Sequence, residues 1–296
     1  FLQGLPAGVQ LFSMLKANPH LLDLLSRTMG TAPKLAAQLS RQPRTLEAVL
    51  DRNFFGPLPN RKELESHLAP LFEAAPAFED VIDQLRIFVR EQMFRVGVRI
   101  LSETVSAEEA GEGYSNIADV AIAALHQRVV ADIERIHGKC PDGDSAVVAM
   151  GKWGGREMTA TSDLDFMLIY QADGMSDGAK PLAPAQYYSR LAQRLVNAIT
   201  SPTAEGILYE ADMRLRPSGS KGPVAVSLDA FAVYQREEAW TWEKMSLTRA
   251  RLICGPETVR EAIATALHQR RDTIKTLVDI RDMRSLMLKE HEPKSR

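Results

Sequence analysis

The stretch Gly151–Tyr170, GKWGGREMTATSDLDFMLIY, decides how the chain is read. It holds a glycine pair, Gly154-Gly155, then a polar run, then two aspartates one residue apart, Asp163 and Asp165, at the mouth of an apolar segment. DFMLIYQ reads as a buried strand. Side chains alternate along a strand, so Asp163 and Asp165 project together, while Leu164, Phe166, Leu168 and Tyr170 take the opposite face and suit a core. Two carboxylates this close repel each other and are comfortable with a divalent cation between them. Hard oxygen ligands suit Mg²⁺, which binds one or two carboxylates together with substrate phosphates. Paired glycines let backbone N–H groups approach a phosphate without a Cβ in the way, and Ser162 offers a hydroxyl beside them. The same residues also read as punctuation: Gly-Gly is a common turn and Ser-Asp a common cap or turn dipeptide.

A second constellation lies downstream. GILYEADMRLRP, residues 206–217, alternates and ends at proline, which predicts a third strand after SAVVAMG and DFMLIYQ. Alternation puts Ile207, Tyr209, Ala211, Met213 and Leu215 on one face and Glu210, Asp212, Arg214 and Arg216 on the other. Asp212 is then a third carboxylate for a two-metal phosphoryl-transfer site, and the arginines can hold polyphosphate bidentately. The competing reading is a solvated strand face whose ion pairs are each worth little. PVAVSL reads as a fourth, short strand.

Helical spacing dominates elsewhere. It predicts helices in 11–30 and 32–51, over 76–103, over 113–138 with Ser115 or Asn116 as N-cap, over 185–200, over 228–254, and along a tail at 257–291. The fold class is therefore α+β and predominantly helical. A helical N-terminal arm occupies 1–140, a small mixed-sheet core 141–255, and 256–296 begins a helical C-terminal part. The start without an initiator Met and the charged end read as a piece cut from a longer chain.

Composition sets the class. The 296 residues are 45% hydrophobic and 25% charged, as in ordinary soluble domains. A net charge of -2 gives no bulk attraction to nucleic acid or anionic membrane, and no apolar run is long enough to span a bilayer. The two cysteines, Cys140 and Cys254, read as reduced thiols of a cytoplasmic protein. The six histidines show no metal-ligand spacing. AWTWEKMSLTRAR reads in two ways: as a nucleotide-adjacent helix with Lys244 or Arg249 near phosphate, or as an aromatic core helix with a charged outer face. Aromatics favour the second reading, and Glu243 and Lys244 stay as candidates beside the site. Lys152, just before the glycine pair, reads as a solvated lysine.

Together, the glycine pair, Asp-x-Asp on a strand and a further Asp on a later strand resemble the DNA polymerase β-type nucleotidyltransferase superfamily. Residues 149–170, 209–235 and 242–255 look more closely like the glutamine synthetase adenylyltransferase family, bifunctional enzymes with two similar nucleotidyltransferase domains joined by helical regions. The resemblance extends over nearly the whole chain; residues 1–51 look like the helical segment preceding the second domain. It implies that Asp163, Asp165 and Asp212 bind two Mg²⁺ ions, that Asp212 helps activate the attacking hydroxyl, and that Gly154 and Gly155 cradle phosphate. Arg214 and Arg216 fall in the family's Arg-x-Arg-Pro stretch. It implies ATP as substrate, a tyrosine hydroxyl of glutamine synthetase as acceptor, pyrophosphate as product, and a PII signalling protein as a regulatory partner. EEAWTWEKM and the closing VDIRDMRSLMLKEHEP look like the AMP-adding half. The alternatives are the AMP-removing, phosphorolytic half and a non-catalytic nucleotide-binding module.

Overall fold

The computed structural model describes residues 56–75, 77–269 and 273–291, so the helices predicted within 11–51 lie outside the described residues. The chain forms two compact units, each discontinuous in sequence. Of the described residues, the first holds those up to 125 together with 156–162 and 198–209; the second holds 126–155, 163–197 and those from 210 on.

In the first unit, helix α1 (Arg61–Ala74) precedes α2 (Phe78–Leu101) and the start of α3 (Ala107–His137). Reciprocal caps set the beginnings. The Asn60 side chain accepts from the Glu63 N–H while Glu63 accepts from the Asn60 N–H. Ser106 and Glu109 do the same for α3. This corrects the start predicted at Ser115 or Asn116. Ser106-x-x-Glu109 opens the helix a full two turns earlier, and Ser115 is buried inside it, donating its hydroxyl to the Gly111 carbonyl. Buried Arg86 of α2 donates to the carbonyls of Ala198 and Ser201 and to the Thr203 hydroxyl, so one guanidinium satisfies the backbone of the 198–203 segment.

The second unit is built on a mixed sheet of five strands: β1 (Asp144–Ala149), β2 (Leu164–Gln171), β3 (Ala211–Asp212), β4 (Ala225–Ser227) and β5 (Arg251–Cys254). Strand β2 is central. It pairs antiparallel with β1 on one edge, and parallel with β3 and then β4 on the other. Strand β5 lies antiparallel on the far side of β1. Both faces of β2 are covered, as its run of buried residues requires. Met167 and Ile169 pack with Ala146, Val148 and Val226 into a core closed by Phe231 of α6 (Leu228–Glu237) and Ile263 of α8 (Glu257–His268). On the opposite face Phe166 meets Trp153 edge-on at 6.3 Å, and Tyr170 stacks at 4.4 Å on Tyr188 of α5 (Pro184–Thr200).

Two predictions are corrected here. The third strand does not run the length of 206–217; only Ala211 and Asp212 pair with β2. The Asp212 side chain accepts from the Arg214 N–H, an Asx turn that bends the chain out of the sheet. Arg214 and Arg216 therefore do not share a strand face with Asp212. The single helix predicted over 228–254 is instead α6, a short α7 (Thr241–Ser246), a 3-10 turn at Leu247–Arg249, and β5. RLIC, counted as helix, is an edge strand. The tail carries α8 and α9 (Thr273–His291).

Candidate active site

Parallel pairing of β3 with β2 sets Asp212 directly beside Asp165, and Asp163 precedes β2 by one residue. One carboxylate oxygen from each of Asp163, Asp165 and Asp212 lies within 4.8 Å of the others. The sheet thus brings together the three acids singled out in the sequence. Their electrostatics differ. Burial pushes the Asp165 carboxyl above its ordinary value, and the charges of Asp163 and Asp212 push the same way, against Arg214 and Lys152. Asp212 is held below its ordinary value chiefly by hydrogen bonds from Arg214. Three converging hard oxygens suit a divalent cation such as Mg²⁺ and give soft metals no ligand.

The backbone around these acids is built on glycine. Between β1 and the acids the chain makes a short helix, α4 (Gly151–Gly154). Gly151 has φ +52°, and a Cβ there would overlap the Asp165 Oδ2 atom. The Met150 N–H donates to the Asp165 carbonyl at 2.8 Å, pinning the two strands where the helix begins. A Cβ on Gly154 would overlap the Arg249 carbonyl, so this glycine is required where the 3-10 turn passes α4. The Gly154 and Gly155 N–H groups donate to the Met150 and Gly151 carbonyls. Arg251 closes the end of α4 by donating to the Trp153 and Gly154 carbonyls.

The remaining candidates are distributed differently. Arg214 lies on Asp212: its backbone N–H donates to Oδ1 at 2.8 Å, and its Nε (2.7 Å) and Nη2 both donate to Oδ2. Arg216 instead turns back on its own loop, donating to the carbonyls of Met213, Gly222 and Pro223. Ser162 accepts from the Thr159 N–H and pairs with the Thr159 hydroxyl, closing a turn. Lys152 is exposed. Glu243 is buried as the cap of α7, accepting from the Trp240 N–H at 2.9 Å and the Tyr234 hydroxyl at 2.8 Å. The aromatic-core reading of this helix is corrected: Trp240 and Trp242 are 71% and 41% exposed, and the buried member is the glutamate.

Comparison with known proteins places the chain in a family. The family model described as glutamate-ammonia ligase adenylyltransferase matches residues 22–266. The chain belongs to the glutamate-ammonia ligase adenylyltransferase family. Among relatives of this adenylyltransferase family, a bifunctional glutamine synthetase adenylyltransferase/adenylyl-removing enzyme of Brucella suis biovar 1 (strain 1330) is 48% identical over 301 residues, covering 99% of this chain and 31% of the relative. The protein of the same description from Mesorhizobium japonicum is 48% identical over 297 residues, covering 98% of this chain and 30% of the relative. The chain thus spans under a third of the length of these relatives. Among the described residues no helix is long and apolar enough to cross a membrane.

Sequence reasoning missed two residues that shape the surroundings of the acidic cluster. Gly151 was overlooked beside the more conspicuous Gly154-Gly155, although only the contact with Asp165 distinguishes it. Arg251 was absorbed into a predicted helix, and only its place on β5 brings it to α4.

Proposed function

We propose that this chain transfers AMP from ATP to a tyrosine hydroxyl of glutamine synthetase. The observation that carries the reading is the convergence of Asp163, Asp165 and Asp212 at one end of the sheet, in a chain of the adenylyltransferase family. In this reading the three carboxylates hold Mg²⁺, two ions in all, and residues 141–255 form the nucleotidyltransferase core. Bound there, the metal supplies positive charge to the attacking and leaving oxygens. The chain's own groups do the rest. Asp212 accepts the proton of the tyrosine hydroxyl. The tyrosine oxygen bonds to the α-phosphorus as the bond to pyrophosphate breaks in line. Gly154 and Gly155 shape the phosphate side, and Arg214 offers a guanidinium to it. Arg216 contributes by holding the loop that carries Asp212. Rigid placement of these groups supplies most of the rate, since little covalent chemistry falls to the protein.

The adding direction is favoured by EEAWTWEKM and by the closing helix with its Met283-Arg284 pair. Incubation with α-labelled ATP and unmodified glutamine synthetase tests it. Label on the synthetase, lost with Asp165→Asn, is the expected result. Phosphate-dependent release of pre-attached AMP as ADP, without any labelling, would reassign the chain to the removing half. Neither activity, with ATP still bound, would make it a nucleotide-binding module.

A further inference from the structure

We propose that Arg214 is an exchangeable counter-cation: it neutralises Asp212 until a divalent cation arrives at the three carboxylates, and the cation then displaces its guanidinium. The inference rests on the reading of Asp163, Asp165 and Asp212 as a cation site. Three features of the site point to exchange.

First, Arg214 takes both oxygens of Asp212, one through its backbone N–H and the other through Nε and Nη2. A cation that takes Asp212 through Oδ2 competes for the oxygen that the guanidinium holds. The backbone bond to Oδ1 does not compete and keeps the carboxylate aimed while the side chain leaves.

Second, the guanidinium is easy to release. The Arg214 side chain is 79% exposed against 14% for Asp212. Among the described residues its guanidinium hydrogen-bonds to Asp212 and to nothing else. Exposed ion pairs hold by little, and water takes the released group without penalty.

Third, the neighbouring arginine cannot do this. The Arg216 guanidinium is fixed by the carbonyls of Met213, Gly222 and Pro223, and all of these bonds would be lost if it moved. The two arginines of the Arg-x-Arg stretch therefore divide the work: Arg216 fixes the loop and Arg214 moves. Once displaced, Arg214 remains tethered within two residues of Asp212, where an incoming polyphosphate meets it.

The test uses the full 296-residue chain and Mg²⁺ or Mn²⁺ alone. Cation affinity is measured by calorimetry and by Mn²⁺ paramagnetic resonance. The Arg214 Nε–H signal, assigned by its loss in Arg214→Lys, is followed by NMR during Mg²⁺ titration. Exchange predicts that Mg²⁺ moves this signal to the position of a solvated arginine. It predicts that Arg214→Gln binds Mn²⁺ about twofold to fivefold more tightly, the factor of an exposed ion pair removed from the competition. It predicts further that Arg214→Gln binds Mg·ATP more weakly than the wild type does. A purely structural arginine would weaken both. Cation binding that is weakened by Asp165→Asn but leaves the Arg214 signal in place overturns the exchange and spares the metal site. Binding that is absent from both wild type and Arg214→Gln, or indifferent to Asp165→Asn, overturns the exchange together with the metal reading.

Discussion

Gly151 shows how narrowly the site is built at the scale of one residue. Its φ of +52° lies in the left-handed region, and its bare Cα faces the Asp165 carboxylate at a distance that admits no side chain. Alanine there strains the backbone and pushes Oδ2 away from the other two acids. Displacement of a reacting group by about 1 Å costs about a hundredfold in rate. Gly151→Ala is therefore expected to lower AMP transfer by about that factor while the far-UV circular dichroism spectrum holds; wild-type turnover would show that the contact is immaterial. The carboxylates themselves were legible in the sequence, because Asp-x-Asp ahead of an apolar strand states its own geometry. Gly151 was not, since the contact that demands glycine joins it to a residue on another strand. Arg214 and Arg216 were legible as residues but not as a pair sharing a face. Asp212, by accepting from the Arg214 N–H, bends the chain and sends the two guanidinium groups to different partners.

Among the elements, β2 was readable in full because it is buried on both faces and bounded by polar residues. The elements at the sheet's margins were not. Strand β3 is two residues long, and an alternating pattern continues past its end without pairing. Strand β5 follows two short helical turns, and four residues of RLIC carry no period that separates a strand from a buried helix. Helix α7 raises a more pointed question, since Glu243 was a candidate beside the nucleotide. In the structure its two oxygens are both occupied, one by the Trp240 N–H and one by the Tyr234 hydroxyl. Glu243→Ala removes the cap and leaves a tyrosine hydroxyl without its acceptor. The expected loss is about 1–3 kcal/mol of stability in urea unfolding, with the Km for ATP unchanged. A raised Km at unaltered stability would return Glu243 to the nucleotide site.

At the scale of the whole molecule, the two compact units are each assembled from three separated segments, and helix α3 contributes to both. Local periodicity located helices such as α2 and α5 but carried no information on which of them belong with the sheet. His126 illustrates the consequence. It lies within the helix predicted over 113–138. In the structure it begins the part of α3 that belongs to the second unit, is 7% exposed, and its Nε2 lies 2.9 Å from the Ser145 hydroxyl on β1. Burial pushes its pKa down from 6.5 to about 4. The folded state therefore holds His126 neutral where the unfolded chain would bind a proton. Its contribution is fully present above pH 6.5 and is lost as the pH falls toward 4. At about 1.4 kcal/mol per pH unit, the loss across that window is about 3 kcal/mol. Unfolding of the wild type should accordingly weaken between pH 6.5 and 4 by that amount more than unfolding of His126→Gln, which keeps a hydrogen-bonding group near Ser145 and cannot titrate. Carboxylates that titrate in the same range affect both proteins alike and cancel in the difference. Parallel pH profiles for the two would mean that water reaches His126 and that the junction of α3 with β1 is not closed.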